Sequence, residues 1–213
     1  MNFVRTIAAA LLLSVAAAPI ALADDAGTGV AGHWQFRLRG VAVLPDASGS
    51  VKVAGVPLAG SVSVTNSFIP EIDATYFLSD HIGFEVIAGT TQHSVHQTTA
   101  GDVGSVWLLP PTLTAQYHFS PDSSMFRPYV GAGINYTFFY NARSPLPDVS
   151  YANNFGWALQ AGADVPLGDG PYFLNFDVKK IFLTTEMKAD GGIIRAHADL
   201  NPWLVGAGVG VRF

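Results

Sequence analysis

The chain ends on Trp203-Leu-Val-Gly-Ala-Gly-Val-Gly-Val-Arg-Phe213, and this stretch constrains the fold more than any other. Trp203, Val205, Ala207, Val209, Val211 and Phe213 share one parity, while Leu204, Gly206, Gly208, Gly210 and Arg212 share the other. A period of two describes an extended strand, here with one wholly apolar face and one face of small residues and a charge. An unprotected apolar edge strand templates aggregation, so a strand of this kind at the end of a chain needs a partner on each side. Closure against the first strand of a barrel supplies one.

Seven further segments repeat the alternation, at about 33–44, 68–77, 82–91, 107–119, 127–140, 155–165 and 172–183, with the eighth at 203–213. In the first, Trp34, Phe36 and Leu38 oppose Gln35, Arg37 and Arg39. Charges fall almost entirely on one face throughout. On a lipid face an Arg or Lys would cost roughly 2–4 kcal/mol at the bilayer midplane. The connections alternate as well. Those at 78–81, 120–126 and 167–171 are short, and those at 45–67, 92–106, 141–154 and 184–198 are long. Tyr76, Tyr117, Phe119 and Phe213 gather at the short-turn end, Trp203, Phe138 and Phe155 at the other, as two interfacial girdles would. The expected fold is all-β: an eight-stranded antiparallel transmembrane barrel with short periplasmic turns and longer extracellular loops.

Composition agrees. Only 13% of residues are charged and 49% are hydrophobic, against about one quarter charged in a soluble domain. Beyond residue 23 no apolar run is long enough for a membrane helix. The N-terminus reads as a cleaved secretory signal at 1–23, with Arg5, an apolar run from Ile7 to Ile20, and Ala21-Leu-Ala23 as the cleavage pattern. The barrel then occupies 24–213. Cysteine is absent, and no basic cluster suggests nucleic acid.

Several longer motifs point to a family. Gly32-His-Trp-Gln-Phe-Arg-Leu-Arg-Gly40, Ile69-Pro-Glu-Ile-Asp-Ala-Thr-Tyr-Phe77, Leu109-Pro-Pro-Thr-Leu-Thr-Ala-Gln-Tyr-His-Phe119 and Arg127-Pro-Tyr-Val-Gly-Ala-Gly-Ile-Asn-Tyr136 resemble the OmpW family. So do Asn175-Phe-Asp-Val-Lys-Lys180 and Asn201-Pro-Trp203. The resemblance covers nearly the whole mature chain. It implies a barrel in the outer membrane of a Gram-negative bacterium that moves small, mostly hydrophobic compounds, with an alkane-uptake protein among its relatives.

Sorting the inward face by height gives two expected zones. Toward the periplasm lie Arg37, Arg39, Glu71, Asp73, Glu85, His118, Asp164, Asp177, Lys179 and Arg212, a polar plug. Toward the outside lie Val41, Val43, Ile69, Ile87, Phe139, Ile181, Leu183 and Leu204, an apolar cup. An eight-stranded barrel is narrow enough for side chains to fill it. The charged groups are therefore expected to pair and close the lower lumen, and the glycines of the last strand to leave room beside Arg37 and Arg39. A solute entering the cup would leave sideways into the lipid. Val51, Val53, Val62 and Val64 in the first loop alternate with polar or small residues, which reads either as a hairpin extending the cup or as a protective or adhesive loop. Two other readings stay open: a structural or receptor barrel that transports nothing, and a narrow pore for small polar solutes or ions. The expected partners are outer-membrane lipid, hydrophobic solutes and, through the strand ending in Phe213, the barrel-assembly machinery.

Signals for chemistry are weak, and neither an enzyme nor a cofactor is expected. His93-x-x-His96 offers a metal pair with little besides Asp102 to complete it. Ser94, His93 and Asp102 are close in sequence only. Gly131-x-Gly133 and Gly206-x-Gly208 are not followed by helices, so they are not nucleotide loops. Related barrels carry an aromatic gate near the position of Phe155, but its parity is outward, which favours a girdle role.

Overall fold

The computed structural model describes residues 29–99 and 101–213, so the leader expected at 1–23 lies outside the described residues. In chain order the strands are β1 (Trp34–Leu44), β2 (Ser48–Val53), β3 (Val56–Leu58), β4 (Val62–Val64), β5 (Ser67–Phe77), β6 (Ile82–Ala88), β7 (Thr91–Gln97) and β8 (Gly101–Leu109). They continue as β9 (Thr112–His118), β10 (Arg127–Arg143), β11 (Ser150–Tyr151), β12 (Asn154–Pro166), β13 (Tyr172–Phe182), β14 (Thr184–Ala189), β15 (Ile194–Asp199) and β16 (Trp203–Arg212).

Eight of these, β1, β5, β6, β9, β10, β12, β13 and β16, hydrogen-bond into a closed antiparallel ring. The C-terminal strand pairs with β13 on one side and β1 on the other, from Gln35↔Arg212 to Leu44↔Trp203. Past the end of β16, Trp34 and Phe213 exchange both backbone hydrogen bonds, at 3.0 and 2.8 Å. Each of the eight strands is thereby paired on both sides, the condition lipid imposes on a spanning sheet.

The side-chain alternation follows. Trp34 and Leu38 on β1 are 47% and 53% exposed, while Arg37 and Arg39 between them are each 2% exposed. The outward face meets lipid and ends in two aromatic belts. Trp34 packs on Tyr76 at 5.0 Å at one end; Phe155 packs on Tyr136 at 4.6 Å and Trp157 on Phe182 at 3.9 Å toward the other. Phe155 is 70% exposed and faces out, so it belongs to the belt and does not project into the lumen.

The connections at the short-turn end match expectation, but the long ones are not irregular loops. The segments expected at 92–106 and 184–198 fold as the hairpins β7–β8 and β14–β15. The strand expected at 82–91 divides into β6 and β7, and that at 107–119 into β8 and β9, broken by Pro110-Pro111. Neither proline has an N–H to give a ladder. The first-loop hairpin exists but pairs β2 with β3, around a turn at Ala54-Gly55 where both residues have positive φ. Val62 and Val64 instead form β4, which docks on β7. Above the barrel, β11-β14-β15-β2-β3 forms one sheet, while β8, β7 and β4 extend the wall from the upper part of β10.

Candidate functional site

The inward residues of the periplasmic half form one ion-pair network. Arg37 reaches Asp73 at 2.9 Å, Glu85 at 3.2 Å and Asp164 at 3.4 Å. Arg39 reaches Glu71 at 2.7 Å, Asp73 at 2.9 Å, Glu85 at 3.3 Å and Asp177 at 3.6 Å. The register makes these contacts, because Arg37↔Asp73 and Arg39↔Glu71 are direct cross-strand partners between β1 and β5. Neutral groups add further bonds. Tyr129 Oη and Gln160 Nε2 donate to Asp177 at 2.8 and 2.7 Å, and Asn175 Nδ2 and Gln35 Nε2 donate to Asp164 at 2.8 and 2.9 Å. Buried charges are stable only when paired in this way, and removing one partner of such a set costs about 3–5 kcal/mol.

Below the network, bulky rings seal the barrel. Phe77, Tyr129 and Phe173 all point inward and are 0%, 1% and 0% exposed. Two glycines admit them. Gly162 lies directly across from Tyr129 and Gly210 directly across from Phe173, and a Cβ at either glycine would collide with the facing ring. The Arg37 guanidinium lies 5.2 Å from the Tyr129 ring centre and 5.9 Å from that of Phe173, so the seal also holds the network's central cation. Sequence reading passed over these three rings. Parity was the signal that could have found them, since each shares a face with inward polar residues.

Above the network the lumen opens into a cavity of about 100 Å³. Val43, Ile69, Ile87, Phe139, Ile181, Leu183 and Leu204 wall it within the barrel, and Val51, Val62, Val64, Val106, Leu108 and Met187 continue the wall in the extracellular sheets. That space would admit several waters, and most of its wall is apolar. Glu71 and Lys179 form the charged part of its floor.

Most expected site residues therefore fall where parity placed them, with a few differences. Val41 is buried in the same apolar cluster but does not line the cavity. Val53, on the same face of β2 as Val51, does not line the cavity and is 39% exposed. His118 makes no ion pair among the described residues; its Nε2 meets Gln116 Oε1 at 3.1 Å and its ring lies 4.7 Å from Phe77, within the aromatic seal. Arg212 is peripheral, donating to Gln35 at 2.9 Å and lying 3.9 Å from Asp164. Of the last-strand glycines, Gly206 adjoins Arg39 whereas Gly210 houses Phe173.

His93 and His96 sit on opposite faces of β7. His93 is buried and lines the cavity, while the exposed His96 pairs with Asp102 at 2.7 Å. Ser94 also faces out, so Ser94, His93 and Asp102 do not converge. The Thr65 carbonyl can only accept, which fixes His93 Nδ1 as its donor at 2.6 Å and leaves Nε2 to accept from the Thr91 hydroxyl at 3.0 Å. Burial holds the His93 pKa below its usual 6.5, although the bond to the Thr65 carbonyl opposes this.

The barrel wall has a seam at the height of the cavity. The β5–β6 ladder stops at Ile72↔Ala88 and the β6–β9 ladder at Ile87↔Thr112, and pairing resumes between β7 and β8 at Thr91↔Leu108. Gly89, Thr90, Pro110 and Pro111 occupy the interval. Asn135 Nδ2, from inside, donates to the Pro110 and Pro111 carbonyls at 3.2 and 3.3 Å. Ile69, Gly89 and Pro110 all line the cavity, so the seam lies in its wall.

Comparison with known proteins agrees with this architecture. The model of the OmpW family matches residues 30–213. The chain belongs to the OmpW family. Among relatives of this OmpW-family chain, the uncharacterized outer-membrane protein y4mB of Sinorhizobium fredii is 46% identical, over 92% of this chain and 86% of that protein. Outer membrane protein W of Escherichia coli is 37% identical over 72% and 77%. The dibenzothiophene metabolism operon protein PahQ of Pseudomonas aeruginosa is 30% identical over 84% and 88%. Among solved structures, OprG of Pseudomonas aeruginosa superposes with a TM-score of 0.82 at 26% identity, over 87% of this chain and 98% of that one. AlkL shares the fold, with a TM-score of 0.70 at 24% identity over 90% and 94%. Fold and family together place this OmpW-family barrel in the outer membrane of a Gram-negative bacterium.

Proposed function

We propose that this barrel assists the uptake of small hydrophobic molecules, which bind in the apolar cup and leave sideways into the membrane. One observation carries the proposal: a cup walled by Val, Ile and Leu stands on a buried ion-pair network and a ring of aromatic side chains. An apolar solute gains from the cup, where each Å² of apolar surface removed from water contributes about 25 cal/mol. It gains nothing from the network below, where it would have to separate buried charges. The seam at Gly89 and Pro110 gives the solute a wall without a continuous ladder. A relative named for a dibenzothiophene operon supports the substrate class, since dibenzothiophene is a flat, apolar ring system.

The test compares uptake of a medium-chain hydrophobic tracer and a small polar one by cells with and without the protein. Selective acceleration of the hydrophobic tracer is expected. Faster entry of the polar tracer would mean that the plug opens and the barrel is a small hydrophilic pore. No effect on either would leave a structural or receptor barrel.

A further inference from the structure

The two charged residues in the cavity floor are not equally engaged. Arg39 donates to Glu71 Oε1 from both Nε and Nη2, at 2.8 and 2.7 Å. Lys179, which is 1% exposed, has its ammonium 3.5 Å from Glu85 and 3.9 Å from Asp177. An ammonium carries three donors, and neither distance is that of a good charge-assisted bond. Among the network's cations Lys179 is the one that lines the cavity, and its ammonium comes no closer than 3.5 Å to a carboxylate. Its position dictates what a ligand touching it also touches. Leu204 is its direct partner on β16, and Ile181 lies two residues on along the same face of β13.

We propose that Lys179 is a head-group site, and that the preferred solute carries an apolar chain or ring and one neutral oxygen, as in an alcohol or ketone. The oxygen accepts from the ammonium while the apolar part lies against Ile181, Leu183 and Leu204. Charge balance selects a neutral head. The network holds the carboxylates of Glu71, Asp73, Glu85, Asp164 and Asp177 against the cations Arg37, Arg39, Lys179 and Arg212, so an added anion meets an excess of negative charge. A cationic head meets Lys179 itself, and the carboxylate that lines the cavity, Glu71, is already taken by Arg39. This inference rests on the uptake reading and adds the head group to it.

The experiment measures initial uptake of octane, 1-octanol and octanoate at pH 8 by cells with the wild-type protein, Lys179→Met, or the charge-balanced pair Lys179→Met with Glu85→Gln. Control cells without the barrel are subtracted, and folded barrel in the membrane is quantified for each variant. The wild type is expected to favour octanol over octane by about tenfold, the worth of one hydrogen bond to a charged donor, and to favour octanoate least. In both variants the octanol-to-octane ratio should fall to about one. Octane uptake with no octanol preference in the wild type overturns the head-group site and leaves the uptake reading standing. A preference that persists in the charge-balanced variant overturns Lys179 as its source. A wild type that accelerates none of the three probes overturns the uptake reading and this inference with it.

Discussion

Up to the height of Glu71 the lumen is filled with paired charges, whereas above it the same strands wall an open cavity with Val, Ile and Leu. The change happens within single strands. β1 presents Gln35, Arg37 and Arg39 inward and then Val41 and Val43; β13 presents Asn175, Asp177 and Lys179 and then Ile181. Register carries it across to the neighbour, since Arg39 faces Glu71 and Val41 faces Ile69. The lower half is solid because long polar side chains reach one another across a narrow interior. The upper half is hollow because short branched side chains reach less far and the wall continues upward into the extracellular sheets. One inward parity, read at two heights, yields both a stopper and a cup.

The largest effect expected from breaking the contrast comes at the stopper. Arg37→Met leaves Asp73, Glu85 and Asp164 short of their shared cation and takes the guanidinium from between Tyr129 and Phe173. The barrel should lose about 3–5 kcal/mol, measured by denaturant unfolding in lipid or detergent micelles. A loss under about 1 kcal/mol would mean that the network tolerates an uncompensated carboxylate.

The contrast is also tested by carrying charge into the upper half. Val43→Asp places a carboxylate on the cavity wall opposite Leu204, where it holds water among the Val, Ile and Leu side chains of the cup. Uptake of the hydrophobic tracer should fall at least about tenfold, equivalent to about 1.4 kcal/mol, while the variant still inserts as a folded barrel. Wild-type uptake by a folded Val43→Asp barrel would sink the cup as the solute's path.

The stopper and the wall of the cup were legible in sequence for one reason. Inward and outward residues alternate strictly in a membrane barrel, so parity alone places Arg37 inside and Leu38 in lipid. The extracellular architecture was not legible in the same way. Thr91–Gln97 and Thr184–Ala189 carry His, Gln, Lys and Glu on exposed faces, because water rather than lipid lies beyond them, and their alternation is blurred. Their pairing is also long-range. β2 finds β15 and β4 finds β7, choices that no local pattern encodes. The loose hold on Lys179 depends on distances across the lumen and is likewise invisible in the chain.

The outer belt sharpens the comparison from the lipid side. Phe155 packs at a tilt on Tyr136 outside the wall of the upper half, so it contributes burial in lipid and an aromatic contact but nothing to the cavity. Phe155→Ala should lower stability by about 1 kcal/mol, within the usual worth of an aromatic pair, and leave uptake of the hydrophobic tracer at the wild-type rate. A tenfold change in uptake would restore a gating role to this ring.

The smallest expected effect concerns the join between the cup and its extracellular wall. His93 lies on β7, beyond the eight barrel strands, and its two ring bonds are complete only when the ring is neutral: Nδ1 donates to the Thr65 carbonyl and Nε2 accepts from the Thr91 hydroxyl. Burial holds its pKa below 6.5. Between that lower value and 6.5 the unfolded corner binds a proton that the folded corner refuses. The contribution of His93 is therefore complete above 6.5 and is lost as pH falls toward the lower value. The Thr65 amide, which donates to the Ser94 carbonyl at 3.1 Å, reports on this corner. Its hydrogen-exchange protection, corrected for the intrinsic rate, should fall between pH 7.5 and pH 5, while amides of the β1–β16 ladder stay constant. His93→Gln, with an amide that does not titrate, should flatten the profile. A fall that persists in His93→Gln would assign the pH response to another group and leave the wall of the cup independent of this ring.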